Sequence, residues 1–349
     1  MHNTSGNKNK SLERYIQKKE AMKNLTQNQI ESFQNFVNSH QFFLIAGHKD
    51  PDGDAVSSCL GIAAILDKFE KPYQLLSAGP FKRQEIKKRE HLFSAEMTFL
   101  SQQERDKTGL IIVDCSEISR LGDIDGDFKG FDTFVIDHHK TAGTQEGFIS
   151  IIDPSAPAAS CIVQMLYEGT VGPLDKMAAD ILFTGMATDT GFFRFLTNDS
   201  AEVFEATARL VKAGANPRTT YDEITSGKPY LTRELLGKLL LSAERYCNGK
   251  LVVTCETLED THKYGLDGRD SDALYQLLLS VEGVEAVVFV RQETEHSCTA
   301  GFRSRDAIDV SSIAATFGGG GHKNAAGMSV EAKLENLVPE IVKKFARIM

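Results

Sequence analysis

Three short apolar runs near the start of the chain constrain its fold, because each ends in acidic or histidine residues. The runs are FFLIA at 42–46, GLIIVD at 109–114 and TFVIDHH at 133–139. Short runs of this kind between polar residues are typical of buried parallel strands. Helical patterns alternate with them, which predicts an α/β domain with a mainly parallel sheet flanked by helices. Ligands bind such sheets at the carboxyl ends of the strands, so these polar residues predict a site there.

The segment after the first run, GHKDPDGDAVSS at 47–58, predicts a tight turn that leads into a helix. His48, Asp52 and Asp54 lie within this turn, and Pro51 and Gly53 bend the backbone between them. One imidazole and two carboxylates at the end of a strand indicate a divalent metal. Asp, Gly and Pro are also ordinary turn residues, so the segment alone also fits a solvated polar turn.

Seven metal-type side chains are predicted to meet at this edge of the sheet. They are His48, Asp52, Asp54, Asp114, His138, His139 and Asp189. Four carboxylates this close would repel one another without cations, and their number suits two divalent ions. A carboxylate can bridge two ions about 3.5–4 Å apart, and Asp114 is the natural bridge because it comes alone from a central strand. Taken singly, Asp114 and Asp189 could instead each cap a helix, and His138 and His139 could be polar residues beside the sheet.

The chemistry of the ligand set favours particular ions. It contains oxygen and imidazole donors without a thiolate, which favours Mn²⁺, with Mg²⁺ or Co²⁺ as substitutes, over a structural Zn²⁺ site. The six cysteines are scattered without a CxxC pair, which is typical of reduced thiols in a cytoplasmic protein. The polar N-terminus has no hydrophobic signal core, and no apolar run is long enough to span a membrane.

Length and charge limit the classes of function. The chain has 349 residues, enough for two domains, and a formal net charge of −9. An acidic chain is unsuited to stable complexes with long nucleic acids, which need a basic surface. The basic stretch FKRQEIKKRE at 81–90 is predicted to be solvated surface. We predict a polar tail at 1–24, a catalytic domain at 25–199, a helical connector at 200–247 and a second domain at 248–349.

The second domain is predicted to be a smaller α/β domain with a mixed sheet that faces the first across a cleft. A helical pattern runs into GGGGH at 318–322, and GFRSR at 301–305 lies on a predicted strand. Consecutive glycines leave backbone N–H groups free to hold a phosphate or a nucleotide edge, although four glycines also fit a flexible turn. The fork of Arg303 suits phosphate oxygens.

Four motifs taken together carry a resemblance to a known family. HKDPDGDAVSS at 48–58, VD at 113–114, DHH at 137–139 and GGGGH at 318–322 resemble the DHH phosphoesterase superfamily. More closely, they resemble its subfamily with a DHH-associated C-terminal domain, of the nanoRNase A (NrnA) type of oligoribonuclease and pAp phosphatase. The DHH motif alone is a weak signal, whereas the four motifs in this order are a strong one. The resemblance covers nearly the whole chain beyond the N-terminal tail.

The resemblance implies a role for each matching residue. The first Mn²⁺ would be held by His48, Asp52 and Asp114. The second would be held by Asp54, Asp114, His138 and Asp189. His139 would face the scissile phosphate as an acid or hydrogen-bond donor, and Asp137 would orient a histidine from behind the metals. In the second domain, Arg303 and His322 match positions that grip the nucleotide in the family. We expect the N–H groups of Gly319, Gly320 and Gly321 to contribute as well, with smaller parts for Ser304, Arg305 and Lys323.

The reaction that the resemblance implies is Mn²⁺-dependent hydrolysis of oligoribonucleotides of a few nucleotides to mononucleoside 5′-phosphates. Removal of the 3′-phosphate of pAp and cleavage of pApA also fit, and so does a homodimer. Rival readings are a RecJ-like exonuclease of single-stranded DNA, an exopolyphosphatase, a pyrophosphatase, and a nucleotide sensor without catalysis. RecJ-like proteins are usually longer and have a more basic channel. The sequence ranks neither the short substrates nor the polarity of attack.

Overall fold

The computed structural model describes residues 22–139, 142–143, 145–266, 269–305 and 307–349. The predicted polar tail at 1–24 lies outside these residues except for its last three. The chain divides into two compact units, Met1–Ser226 and Gly227–Met349. This division falls inside the predicted connector at 200–247, and the predicted domain limits and the predicted cleft stay predictions.

The first unit is built on a parallel sheet of five strands. They are β1 Phe42–Ala46, β2 Tyr73–Leu76, β3 Thr108–Val113, β4 Asp132–Asp137 and β5 Ile149–Ile152. Their order is β2-β1-β3-β4-β5, and every neighbouring pair is parallel. The prediction of an α/β fold with a mainly parallel sheet is confirmed. The short strand β5 was not predicted from the sequence.

Helices connect these strands and cover the sheet. They are α1 Gln27–Ser39, α2 Gly53–Lys68, α3 Gln84–Lys87, α4 Gln102–Arg105, α5 Ala159–Thr170, α6 Lys176–Asp189, α7 Ala201–Ala213 and α8 Pro217–Thr225. Alternate strand residues pack into separate apolar clusters on the two faces, for example Ile45 and Ile111 on one face and Leu44 and Leu110 on the other. Burial on both faces is typical of parallel sheets, whose crossover helices cover both sides.

The strand order creates one opening at the carboxyl edge of the first sheet. From β1 the chain crosses to β2 on one side, whereas β3 lies on the other side of β1. Connections that leave neighbouring strands in opposite directions open a crevice between them, which is where ligands bind in folds of this class. The residues that follow β1 and β3 therefore face this crevice.

The second unit has a mixed sheet of six strands. They are β6 Glu244–Tyr246, β7 Leu251–Glu256, β8 Ala286–Gln292, β9 Ser297–Ser304, β10 Gly320–His322 and β11 Ala325–Glu331. Their order is β10-β11-β9-β8-β7-β6, with β7 and β8 parallel and the other pairs antiparallel. The remaining helices are α9 Tyr230–Leu241, α10 Leu258–Tyr264, α11 Ser271–Leu279, α12 Val310–Ala315 and α13 Leu334–Phe345. The predicted mixed sheet is confirmed.

Three local differences from the sequence analysis have physical reasons. The glycine segment forms β10, an edge strand in a hairpin with β11, instead of an open loop. The basic stretch at 81–90 contains the buried residues Glu85 and Ile86, and Lys88 pairs with Glu223, so it is only partly solvated surface. Helix α10 and strand β6 were not predicted, because they are too short to show a periodic pattern of apolar residues. No helix among the described residues is long and apolar enough to cross a membrane.

Candidate metal centre

The segment between β1 and α2 presents His48 and Asp52 at the crevice. The Nδ1 atom of His48 lies 2.8 Å from the carbonyl oxygen of Lys49, which leaves Nε2 directed at the carboxylates. Asp52 is the N-cap of α2, and its Oδ1 accepts from the amides of Asp54 and Ala55 at 3.0 and 3.1 Å. Asp54 lies in the first turn of α2, whereas the sequence analysis expected it in the preceding turn, because the helix begins at Gly53.

Asp54 is held at the bottom of the site by a distant helix. Its side chain is fully buried, and its Oδ2 accepts from the amide of Ala159 at 2.6 Å. Its Oδ1 accepts from the amide of Ser160 at 2.9 Å. Both amides belong to the first turn of α5, where backbone N–H groups have no partner within the helix. Asp54 therefore accepts the two amide hydrogen bonds that the first turn of α5 cannot make internally, and it points a buried carboxylate into the crevice.

Asp114 follows β3 and stands at the centre of the site. Its backbone has a left-handed φ of +58°, and its amide donates to the carbonyl of Ile136 at 2.9 Å. Its Oδ2 lies 3.4 Å from Nε2 of His48, and its Oδ1 lies 3.3 Å from Nε2 of His138. Left-handed backbone in a residue other than glycine is strained and is common at functional sites. This backbone conformation places the carboxylate of Asp114 between the two imidazoles.

The DHH motif closes the site from β4. The Nδ1 atom of His138 lies 3.3 Å from the carbonyl of Ala156, and its Nε2 lies 3.5 Å from Asp189 Oδ2. Asp137 is buried, and its Oδ1 accepts from Nδ1 of His139 at 2.7 Å. The same oxygen accepts from the amides of His138 and His139 at 2.7 and 3.1 Å. Asp137 thus fixes the His139 ring with Nε2 free to face a substrate.

Asp189 is the last residue of α6 and reaches the site from the side of α2. The two helices approach closely at Gly53, where a Cβ atom would lie 2.3 Å from Oγ1 of Thr188. A residue with a side chain at position 53 would push α6 away. Glycine at this position therefore keeps Asp54 and Asp189 on the same side of His138.

Three overlapping groups of side chains could each hold a metal ion. They are His48 with Asp52 and Asp114, Asp54 with His138 and Asp189, and Asp114 with His138 and His139. Both His48 and His138 fix Nδ1 on a backbone carbonyl and direct Nε2 inward, as neutral metal-binding imidazoles do. Asp114 Oδ1 is buried and accepts no aligned hydrogen bond from any residue that the structure describes, so a cation would satisfy it. The donor set therefore fits divalent metal ions.

The pKa values of the site residues reflect burial and mutual contact. Burial, together with the nearby charge of Asp114, raises the pKa of Asp54 to about 8. Burial also raises the pKa of Asp189 to about 6. For Asp114 burial acts in the same upward direction, but contacts with His138 and His48 outweigh it and lower the pKa to about 2. Protons on the two histidines therefore neutralise part of the charge that a metal would neutralise.

The pKa values of His48 and His138 shift upward, opposite to that of Asp114. Burial opposes protonation of His48 and His138, but contact with Asp114 outweighs it and raises the pKa of each to about 9. The pKa of His139 is also raised, chiefly by its hydrogen bond to Asp137. Perturbed pKa values gathered in one crevice are typical of functional sites.

In the second unit, Arg303 and His322 share a face of the mixed sheet. Arg303 pairs with Ala325 of β11, and Ala325 pairs with His322 of β10, so the two side chains lie in one row across three strands. The guanidinium carbon of Arg303 lies 4.8 Å from the ring centre of Tyr275, a residue that the sequence analysis missed. Its signal in the sequence, an aromatic residue in an apolar helix, is indistinguishable from a core position.

The other predicted substrate-binding residues differ in what they present. Ser304 lies on the buried face of β9, and its hydroxyl donates to the carbonyl of Ile308 at 2.7 Å. The predicted role would need this hydroxyl to leave Ile308. The amide of Gly319 donates to the carbonyl of Ala314 at 2.9 Å. The prediction of a free N–H group at Gly319 therefore does not hold in this structure. Gly320 and Gly321 lie on the edge strand β10.

Comparison with known proteins identifies the family. A family model described as "DHH family, N-terminal domain" matches residues 43–186, and one described as "DHHA1 domain" matches residues 248–349. The bifunctional oligoribonuclease and PAP phosphatase NrnA of Thermus thermophilus is 32% identical over 82% of this chain and 83% of that protein. This chain belongs to the DHH family. The resemblance inferred from the four motifs is confirmed.

Two further comparisons cover most of the chain. A relative with the same name from Mycoplasma genitalium is 27% identical over 89% of this chain and 96% of its own. Among solved structures, an exopolyphosphatase-related protein from Bacteroides fragilis superposes with a TM-score of 0.79 at 23% identity, covering 93% of this chain and 98% of that one. Likeness at this identity shows a shared fold. As a DHH-family phosphoesterase, the chain is a hydrolase.

Proposed function

We propose that this hydrolase is an Mn²⁺-dependent phosphoesterase that cleaves oligoribonucleotides of two to a few nucleotides, including pApA, into mononucleoside 5′-phosphates. It also removes the 3′-phosphate of pAp. The observation that carries the proposal is the carboxylate–histidine centre around Asp114, in a chain similar over most of its length to proteins named bifunctional oligoribonuclease and PAP phosphatase. No second function has a specific observation in its favour.

The residues around Asp114 suit two divalent ions. His48, Asp52 and Asp114 would hold one, and Asp54, His138 and Asp189 would hold the other with Asp114 between them. Bound there, the ions would supply an activated water and neutralise charge on the scissile phosphate and its leaving oxygen. We favour Mn²⁺, with Mg²⁺ or Co²⁺ as substitutes, because the donors combine oxygen and imidazole.

His139 is suited to move a proton at the leaving oxygen. Its Nδ1–H is held by the carboxylate of Asp137, so the exchangeable proton resides on Nε2. The side chain is 40% exposed, compared with 14% for His138, so a substrate can reach it. The hydrogen bond to Asp137 raises the pKa of His139 and keeps the ring protonated to higher pH, which suits donation to a developing alkoxide.

Arg303 and His322 are proposed to bind the nucleotide end that is not cleaved. Both stand on one face of the mixed sheet, and Ala325, which lies between them in the row, has a small side chain. A planar guanidinium held against Tyr275 presents its N–H groups to phosphate oxygens. A grip of this size suits one nucleotide, which accounts for a preference for short substrates. A cytoplasmic location and a homodimer stay predictions.

Product analysis with Mn²⁺ on four substrates tests the proposal. The substrates are a 5′-phosphorylated RNA dinucleotide, a long single-stranded DNA, pAp and pyrophosphate. We expect rapid cleavage of the dinucleotide and release of phosphate from pAp, with the Asp114→Asn variant inactive on both. Cleavage restricted to the DNA or to pyrophosphate would overturn the substrate assignment. Bound Mn²⁺ without any turnover would favour a nucleotide sensor.

A further inference from the structure

The segment that follows Asp189 adopts an unusual backbone. Gly191, Phe192 and Phe193 all have left-handed φ angles, of +58°, +56° and +70°. Residues other than glycine rarely adopt this conformation, and two in succession store strain that surrounding contacts must enforce. Strain of this kind beside a proposed metal ligand points to a function for the residues that the turn presents.

Packing and hydrogen bonds fix this left-handed turn. The ring of Phe192 packs edge-on against Tyr221 at 5.1 Å between centres, and that of Phe193 packs against Phe183 at 5.8 Å. The amide of Phe192 donates to the carbonyl of Ala187 at 2.6 Å. The amide of Phe193 donates to Oγ1 of Thr190 at 3.0 Å. The turn is therefore a defined part of the fold.

The turn folds Arg194 and Phe195 back over Gly191. The amide of Phe195 donates to the carbonyl of Thr190 at 3.2 Å, and the guanidinium carbon of Arg194 lies 4.7 Å from the Phe195 ring centre. A Cβ atom at Gly191 would lie 2.5 Å from Cε2 of Phe195 and 2.8 Å from Nε of Arg194. Gly191 is only two residues beyond Asp189, so the stacked pair packs against the backbone that directly follows a proposed metal ligand.

Both stacked side chains remain available to a ligand. Phe195 is 58% exposed, and Arg194 is exposed as well. Within the part of the chain that the structure describes, the guanidinium of Arg194 forms no ion pair with a carboxylate. Aromatic rings stack on nucleobases of any sequence, and an adjacent guanidinium pairs with phosphate. An exposed ring and an unneutralised cation therefore complement a nucleotide.

We propose that Phe195 and Arg194 form a nucleotide platform at the metal centre, with Phe195 stacked on a substrate base and Arg194 paired with an adjacent phosphate. The proposal rests on the proposed oligonucleotide hydrolysis and deepens it. The platform selects substrates that carry a base next to the scissile phosphate, and it acts in the first unit, independently of Arg303 and His322.

Steady-state kinetics on a 5′-phosphorylated RNA dinucleotide test the platform. Phe195→Leu raises KM about tenfold, the loss expected for one base–aromatic stack, and leaves kcat within about twofold. Phe195→Tyr restores KM because the ring is kept. The matched control is Phe99→Leu, since Phe99 is 91% exposed and lies with Phe42 and Thr108 at the opposite edge of the sheet. This control keeps the wild-type KM.

Two further measurements separate this platform from a structural role and from the proposed function. Arg194→Gln raises KM while the affinity for Mn²⁺, measured by calorimetry, stays unchanged in both variants. A wild-type KM in Phe195→Leu, a loss of Mn²⁺ binding, or no recovery in Phe195→Tyr would overturn the platform.

Dinucleotide binding in EDTA, where hydrolysis stops, is tighter in wild type than in Phe195→Leu; equal affinities would overturn the platform. Wild-type protein that fails to cleave the dinucleotide would contradict the proposed function alone.

Discussion

Asp54 accepts hydrogen bonds from the amides of Ala159 and Ser160 as well as facing the metal centre, whereas no backbone amide of the described residues donates to the side chain of Asp189. Asp54→Ala would leave two buried N–H groups unsatisfied, at a cost of about 1–3 kcal/mol each. We expect the metal-free variant to unfold at a temperature lower by roughly 3–10 °C. Scanning calorimetry in EDTA measures this change.

Asp189→Ala is the matched control for Asp54→Ala. It removes a carboxylate whose pKa burial has raised to about 6, so its ionised form is already unfavourable in the metal-free protein. We expect its unfolding temperature in EDTA to equal or exceed that of the wild type. Both variants lose Mn²⁺-dependent hydrolysis. Equal unfolding temperatures for the two variants would contradict a structural role for Asp54.

The Asp137–His139 pair makes a prediction about pH. The hydrogen bond from His139 to Asp137 raises the pKa of His139, and the proposed acid is active only when protonated. Activity should therefore decline as the pH rises through this pKa. Asp137→Asn removes the charge and lowers the pKa of His139, so the declining limb of kcat against pH moves to lower pH.

A profile measured from about pH 6 to about pH 10 checks this shift. The control is Asp132→Asn, because Asp132 is exposed and contacts His40 at the start of β4, away from the site. Its limb should coincide with that of the wild type. An unmoved limb in Asp137→Asn, with activity retained, would exclude His139 as the titrating acid.

The residue types in the sequence were enough to locate the candidate site. The hydrogen-bond partners of the site residues could not be predicted in the same way. The strand ends predicted that His48, Asp114 and His138 would meet, because parallel strands bring their carboxyl ends to one edge. The contact of Asp54 with Ala159 joins residues more than a hundred positions apart, which no local pattern encodes. The burial of the Ser304 side chain could have been predicted from the sequence. Neighbouring residues on a strand point to opposite faces, and Arg303 lies on the less buried face of β9.

At the scale of elements, the contact between α2 and α6 sets the spacing of the site. A Cβ at Gly53 would meet Oγ1 of Thr188 at 2.3 Å, next to Asp189. We expect Gly53→Ala to separate Asp54 from Asp189 and to weaken Mn²⁺ binding by about tenfold, as loss of support behind metal ligands generally does. Titration calorimetry measures the affinity.

Gly61→Ala on the same helix controls for packing. A Cβ at Gly61 would lie 2.7 Å from Cδ2 of Leu182, the end of a flexible side chain far from the ligands along α2. This variant should lose stability but bind Mn²⁺ with nearly wild-type affinity. Equal losses of affinity in the two variants would show that helix spacing at Gly53 does not control the site.

Helix α1 was predictable from the sequence and strands β5 and β10 were not, for a physical reason. Helix α1 shows buried residues at helical spacing, and Phe33, Phe36 and Val37 reveal it in the sequence. Strand β5, ISII, has four residues, and its place in the sheet depends on parallel pairing with β4. The strand β10 consists of glycines and one histidine, whose β-propensity is low, so its pairing with β11 decides its conformation.

At the scale of the molecule, the metal centre concentrates charge that the metal-free fold must neutralise with protons. The pKa of His48 and that of His138 rise from 6.5 to about 9, and that of Asp54 rises to about 8. The folded protein therefore binds more protons than the unfolded chain between pH 6.5 and pH 9. Its free energy of unfolding falls as the pH rises through this window. Asp114, whose pKa is lowered to about 2, contributes in the opposite sense only in acid.

Metal binding should reverse this loss, because divalent ions replace the protons and bind more tightly as the protons leave. We expect the increase in unfolding temperature caused by Mn²⁺ to be larger at about pH 8.5 than at about pH 6.5. Scanning calorimetry with Mn²⁺ and with EDTA at both pH values measures it. The Asp114→Asn variant should show little increase at either pH, since it lacks the carboxylate between the two groups of ligands. An increase that is the same at both pH values in the wild type would mean that protons and metal do not compete for these side chains.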